Sequence, residues 1–145
     1  MGKIVVGVDG SESSLKALAW AVRQAKLTGD KVEALISWET PTSTWAVMSP
    51  AVPADFDPEQ LAGKILAESV EKTVGVDAVS TIDQQVVGGH AAQVLVDRSA
   101  TASLVVVGDR GHSEFAAALL GSVSQHVTHH AKSPVVVVRG ERAEI

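Results

Sequence analysis

The chain contains no cysteine, which excludes disulfides, thiol nucleophiles and zinc–thiolate centres. No apolar run approaches the ~18–20 residues that a membrane-spanning helix needs. The opening MGKIVVGVDG holds one lysine and a short apolar run, too little for a secretory hydrophobic region, and it reads as a first strand. Positive charge is also scarce: 12 Lys and Arg against 17 Asp and Glu leave a net −5. That balance carries no footprint for nucleic acid or an anionic membrane, so an anionic ligand would have to be held by local geometry against the overall field. Two common nucleotide signals are missing. There is no GxxxxGK[ST] loop, and the first turn after a strand, GVDGSESS, is not GxGxxG, which demotes a P-loop hydrolase and a dinucleotide oxidoreductase. No repeat, low-complexity tract or linker divides the chain. The expectation is a soluble, cytoplasmic protein with one domain over 1–145. Its 46% apolar residues are enough for one sizeable core.

Apolar patterning predicts five strands, at 3–8, 31–38, 78–87, 103–108 and 133–139. Between the first two, Leu15, Leu18, Ala19, Val22 and Ala25 recur at helical spacing, with Ser11 as N-cap and Gly29 as the stop. Asp57-Pro58-Glu59-Gln60 opens a second helix with a cap, a proline at the first position and Gln at the third. Leu61, Ala62, Ile65, Leu66, Val70 and Val74 mark its buried face. HAAQVLVDRSATA, after Gly88-Gly89, forms a third helix, and a fourth runs from about Ser122 to Ala131. The connection 39–57, with Pro41, Pro50 and Pro53, exceeds the ~12–15 residues of an ordinary loop and is a candidate for function. The strands at 4–8, 104–107 and 135–138 are apolar without alternation, as strands covered on both faces are. The fold class is therefore α/β: a three-layer sandwich, with a five-stranded, mostly parallel sheet and helices on both faces. In such sheets ligands lie beyond the carboxyl ends of the strands, where the strand order reverses. That places a site between the ends of the first and fourth strands.

The segment VVVGDRGHSEFAAALLGSVSQHV, 105–127, carries the chemistry expected there. Gly108 and Gly111 could form a concavity of backbone N–H groups after the fourth strand. Gly121-Ser122 would open the next helix, whose free N–H groups and positive dipole end attract phosphate oxygens. Ser122 and Ser124 could add hydroxyl donors, and Arg110 is the one Lys or Arg from Gly108 to Ala131. Asp9, at the tip of the first strand, offers a carboxylate to ribose hydroxyls. Spacing alone leaves a plainer reading open, in which Gly108 and Gly111 make a turn, Gly121 packs on a strand and Arg110 is a solvated surface residue.

The stretch GDRGHSEFAAALLGSVSQHVTHHAKSPVVVVR resembles the C-terminal signature of the universal stress protein family. The ATP-binding branch of that family carries G-x2-G-x9-G-[ST], matched here by Gly108, Gly111, Gly121 and Ser122. IVVGVDGSESSLKALAWA resembles the family's N-terminal segment, and SATASLVVVGDRG its approach to the fourth strand. The likeness covers nearly the whole chain and is weakest across 39–57. It implies a sheet order of 3-2-1-4-5, ATP or another adenine nucleotide at these glycines, and homodimers joined through the last strand. Residue by residue, it implies Gly7 and Asp9 near adenine and ribose, and Gly108 and Gly111 along the phosphate turn. It also implies Gly121, Ser122, Val123 and Ser124 over the phosphates, with backbone near Ser37-Trp38 against adenine. The chain departs from the pattern at Asp109, where the family usually has a small neutral residue, and at His112-Ser113-Glu114, where a further glycine is common. A carboxylate beside a triphosphate repels it unless the side chain points away or helps to hold Mg²⁺.

His126, His129 and His130 recur at i, i+3 and i+4. His126 and His130 could share a metal, but no carboxylate lies near them in sequence, and the preferred reading has them flanking the buried Val123/Val127 face. Ser11 and Ser122 sit in no G-x-S-x-G elbow, so no catalytic nucleophile is assigned. Trp20 and Trp38 read as core, and Trp45 and Met48 as packing within the proline-rich connection. At the sheet edge, where the resemblance puts it, the uncharged PVVVV would be satisfied by pairing with a second copy from Pro134 to Arg139. Three functions follow: a regulatory ATP-binding stress protein with little turnover, which is favoured; a slow Mg²⁺-dependent ATPase using Asp109 or Glu114; or a nucleotide-free interaction scaffold.

Overall fold

A computed structural model describes residues 2–39, 57–110 and 121–140. Five strands, β1 (Lys3–Gly7), β2 (Lys31–Trp38), β3 (Ile82–Gly88), β4 (Leu104–Gly108) and β5 (Val135–Val138), alternate with helices. The helices are α1 (Glu12–Thr28), α2 (Pro58–Val74), α3 (Ala91–Ser99) and α4 (Ser122–His130), with a 3-10 turn at Val76–Thr81. The strands lie in the order β3-β2-β1-β4-β5, and every ladder between neighbours is parallel. Ile4 stands opposite Val32 on one side and Leu104 on the other, so the strand order reverses between β1 and β4.

Successive residues of a strand face opposite sides of the sheet. Ile4, Val6, Ala34 and Val106 form one core layer with Ala17 and Leu18 of α1 and Leu66 of α2. Val5, Leu35, Val105 and Val107 form the other with Leu95 of α3 and Val127 of α4. Helices thus cover both faces, which is why these strands read as unbroken apolar runs. One charge interrupts them. Glu33 of β2 is 2% exposed and pairs with Lys3 at 3.2 Å and Arg98 at 3.4 Å, as a buried carboxylate must.

The predicted caps form. The Ser11 side chain accepts the Ser14 N–H at 3.3 Å, and α1 stops at Gly29, left-handed at φ 80°. Asp57 accepts the Gln60 N–H at 3.2 Å, with proline at the start of α2. Three expectations shift. The face that α1 buries is Ser13, Ser14, Ala17, Leu18, Ala21 and Ala25, one position round from the Leu15–Leu18–Ala19–Val22 stripe. The first turn of α1 runs so close to β4 and β5 that only small side chains fit beneath it: a Cβ on Gly140 would meet the Ser13 Cβ at 2.8 Å. On α2, Leu61 is 46% exposed, whereas Ala62, Leu66 and Val70 are buried. The third strand begins at Ile82, not 78, because its ladder with β2 starts at the Val32–Ile82 pair; the preceding residues turn back, with Thr81 Oγ1 donating to the Ala78 carbonyl at 2.6 Å. The first, fourth and fifth strands are each shorter than predicted by one to three residues at their ends.

Trp20 and Trp38 pack partly buried against the α1–α2 layer. Trp45 and Met48 lie outside the described residues. Among the described residues, no helix is long and apolar enough to cross a membrane.

Candidate functional site

A cavity of about 410 Å³ opens at the carboxyl ends of β1, β2 and β4, beside the point where the strand order reverses. Parallel sheets bind ligands at such points, and the volume falls within the ~300–1,000 Å³ range of small-molecule pockets.

One end is built by β1 and its neighbours. At Gly7, a Cβ would stand 3.0 Å from Leu95 Cδ1, so glycine lets α3 close on the strand end. Asp9 Oδ1 accepts the Ser11 N–H at 2.9 Å, and the Asp9 N–H donates to Ser14 Oγ at 3.3 Å. This turn, in which a carboxylate bonds the backbone two residues on, fixes Asp9 at the cavity wall. Leu35 and Ser37 of β2 line the same end. Trp38 does not; its ring instead lies 3.1 Å from where a Cβ on Gly88 would be.

The other end belongs to β4 and α4. Gly121 is the N-cap of α4, in extended backbone at φ −65° and ψ 161°, and no side-chain cap bond closes the helix. Its own N–H donates to the Asp109 carbonyl at 2.6 Å, and the Gln125 N–H donates to the Gly121 carbonyl at 3.0 Å. The amides of Ser122, Val123 and Ser124 are then the first-turn donors that a helix cannot satisfy internally. All three residues line the cavity, at the positive end of the helix dipole, a ready position for an anion. Arg110 also lines the cavity, the one arginine or lysine among the described residues that do so.

Several predicted residues act differently from their expected parts. Gly108 lines the cavity, but its φ is not positive. Glycine is required there by α1, since a Cβ would stand 2.4 Å from Ser13 Oγ and 2.8 Å from the Ser13 carbonyl carbon. Ser124 is buried and its hydroxyl donates to the Gly108 carbonyl, so its proton is committed within the fold while its backbone N–H lies on the first turn of α4. Asp109 is not among the residues lining the cavity. Its carboxylate is 2% exposed and turned toward the end of β5, where Oδ1 accepts the Gly140 N–H at 3.1 Å. Gly111, His112 and Glu114 lie outside the described residues.

Sequence reasoning missed the contribution of α3. His90, its N-cap, and Ala91 line the cavity together with Leu95. The available signal was Gly88-Gly89 at the carboxyl end of a strand in a parallel sheet, the same grammar that marked β4. The His126 and His130 rings lie with centroids 4.5 Å apart and planes tilted by 41°, on the exposed side of α4. Among the described residues, no group of three or more His, Cys, Asp or Glu is placed to hold a metal ion.

The universal stress protein family model matches residues 1–139. A universal stress protein of Mycolicibacterium smegmatis is 32% identical over 145 residues, covering 95% of this chain and 48% of that protein. One from Mycobacterium bovis is 35% identical over 137 residues, covering 94% and 45%. The chain thus spans about half the length of the curated relatives it matches. Among solved structures, a universal stress protein in complex with cAMP superposes at a TM-score of 0.66 with 28% identity, covering 97% of this chain and 98% of that one. A universal stress protein from Archaeoglobus fulgidus in complex with dAMP gives a TM-score of 0.62 with 20% identity, covering 95% and 98%, a likeness of fold alone. The chain belongs to the universal stress protein family.

Proposed function

We propose that this member of the universal stress protein family binds an adenine nucleotide, ATP foremost, and acts as a regulatory protein of the stress response with little turnover. One observation carries the reading: Ser122, Val123 and Ser124, whose first-turn amides have no partner within the helix, and Arg110 line the same cavity as Gly7, Asp9 and Ser37. A phosphate tail suits the first group, because backbone N–H donors and a helix dipole hold anions without a net positive field. Ribose hydroxyls suit the Asp9 carboxylate, and the apolar end at Leu35 and Leu95 suits a base. The cAMP bound by a structural neighbour of 28% identity is an adenine nucleotide, which supports the class of ligand. Asp109, one of the two residues named for an ATPase, turns its carboxylate to the Gly140 N–H and is not among the residues lining the cavity, which weighs against its holding Mg²⁺ or orienting water there. A cytoplasmic location accords with the absence of cysteine.

The test is release of bound ligand. Purified protein, denatured and chromatographed, should yield adenine nucleotide, or the nucleotide-free protein should take up ATP on titration. Neither release nor uptake of any adenine nucleotide would overturn the reading and leave the interaction scaffold in its place.

The same reading includes a homodimer through Pro134–Arg139. β5 ends the sheet with four valines and no charge, an edge that invites pairing with a second copy.

A further inference from the structure

The first turn of α1 crosses the end of β4 at Ser13. This residue is 4% exposed, and its hydroxyl donates to the Arg110 carbonyl at 2.5 Å. A Cβ on Gly108 would stand 2.9 Å from the Ser13 Cβ, and one on Gly140 2.8 Å from it, so the crossing leaves room for little more than a serine. Arg110 lines the cavity, as does Ser14, but Ser13 is not among the lining residues. The Arg110 carbonyl oxygen is therefore turned toward α1 and away from the cavity that its own residue borders.

We propose that Ser13 is a positioning residue for phosphate binding: its hydroxyl holds the Arg110 carbonyl, an acceptor that opposes anions, out of the phosphate end of the cavity. This rests on the reading that phosphates lie beside Arg110 and the start of α4. A carbonyl oxygen and a phosphate oxygen are both acceptors. A carbonyl turned into the cavity would thus oppose the ligand where the amides of α4 attract it. Ser13 is the donor that fixes the direction. In Ser13→Ala a methyl group faces the oxygen instead, and a buried acceptor that loses a donor turns toward water where it can. The cavity is the open side of Arg110. The start of α1 keeps its seat in that variant, because Asp9 Oδ1 still accepts the Ser11 N–H and the Ser11 side chain the Ser14 N–H.

ATP and adenosine titrated calorimetrically into wild type, Ser13→Ala, Ser13→Gly and Ser99→Ala provide the test, with a thermal melt of each protein. Ser99 is the matched control. It is buried, and its hydroxyl also donates to a backbone carbonyl, that of Val96, at 2.5 Å. It stands at the last position of α3 and is not among the residues lining the cavity. Ser13→Ala should weaken ATP about three- to tenfold, the weight of roughly one hydrogen bond, and leave adenosine unchanged. Ser13→Gly, which also removes the hydroxyl and leaves more room, should reproduce that selective loss. Ser99→Ala should lower the melting point while both ligands bind as they do to wild type. An unchanged ATP affinity in the two Ser13 variants, a loss shared equally by adenosine, or the same selective loss in Ser99→Ala would each overturn the proposal. Wild type that binds neither ligand would instead remove the nucleotide reading itself, and this inference with it.

Discussion

An aspartate at position 121 would occupy an N-cap with φ −65° and ψ 161°, a geometry and position that aspartate favours. Its carboxylate would also stand where phosphate oxygens are proposed to lie. Gly121→Asp should therefore keep its melting temperature, or gain slightly, while ATP affinity falls by at least about tenfold, the weight of ~1.4 kcal/mol of like-charge repulsion. A melt run beside an ATP titration checks both, and undiminished ATP affinity would move the phosphates away from α4. Gly108 is the contrasting case. A methyl there meets the Ser13 backbone at 2.8 Å, which a side-chain rotation cannot relieve. Gly108→Ala should cost ~1–3 kcal/mol, as overpacking does, seen as a melting point lower by about 4–10 °C. An unchanged melting point would show that α1 moves aside freely. Both glycines were visible in the sequence as one motif. Their separate reasons were not, because Ser13 and Gly108 are brought together only by the sheet. The orientation of Asp109 was hidden for the same reason: its partner, the Gly140 N–H, lies at the end of another strand.

Elements were more legible than their edges. Every helix and strand that apolar periodicity predicted is present, since burial on both faces writes itself directly into composition. Periodicity misjudged the rotation of α1 because alanines and serines, not the larger Leu15 and Val22, fit the short distance to β4 and β5. It also extended β3 into Val76–Thr81, where β-branched residues have no partner strand. At β5, the Val105 N–H donates to the Pro134 carbonyl at 3.0 Å and the Asp109 N–H to the Val138 carbonyl at 2.9 Å. Even-numbered residues thus turn their backbone toward β4, and Val135 and Val137 turn theirs to the open edge. Val137→Pro, which removes an outward N–H, should yield monomers that still bind ATP. Dimers persisting in sedimentation would place the contact elsewhere. At the opposite end of the sheet, Asp30 ties the start of β2 to β1, its Oδ1 accepting the Gly2 N–H at 2.8 Å. That bond, with lesser ones from Thr28 and Ser103, lowers the Asp30 pKa below its ordinary value despite an opposing contribution from burial. A group lowered on folding stabilises above its unfolded pKa and loses that stabilisation as pH falls through the folded one. Asp30→Asn should therefore melt below wild type at neutral pH, with the difference closing below about pH 4. A constant gap would mean that the carboxylate's charge does not matter.

For the molecule as a whole, the sheet order brings turns that lie far apart in sequence to one cavity. The first strand supplies Gly7 and Asp9, the fourth Gly108 and Arg110, and the helix after it three donor amides. With a net charge of −5, the proposed anion would have to be held by that local arrangement rather than by a general field. Composition and motif spacing located this meeting point because parallel sheets have one end at which ligands bind. They did not reveal the α3 wall at His90 and Leu95, which depends on how tightly α3 closes over Gly7. The most direct measurement is a crystal structure grown with ATP. The phosphates should lie within about 3 Å, ordinary hydrogen-bond distance, of the Ser122, Val123 and Ser124 amide nitrogens, with the base toward Leu35 and Leu95. A nucleotide bound elsewhere, or a cavity filled by the chain's own residues while ATP stays in solution, would contradict it.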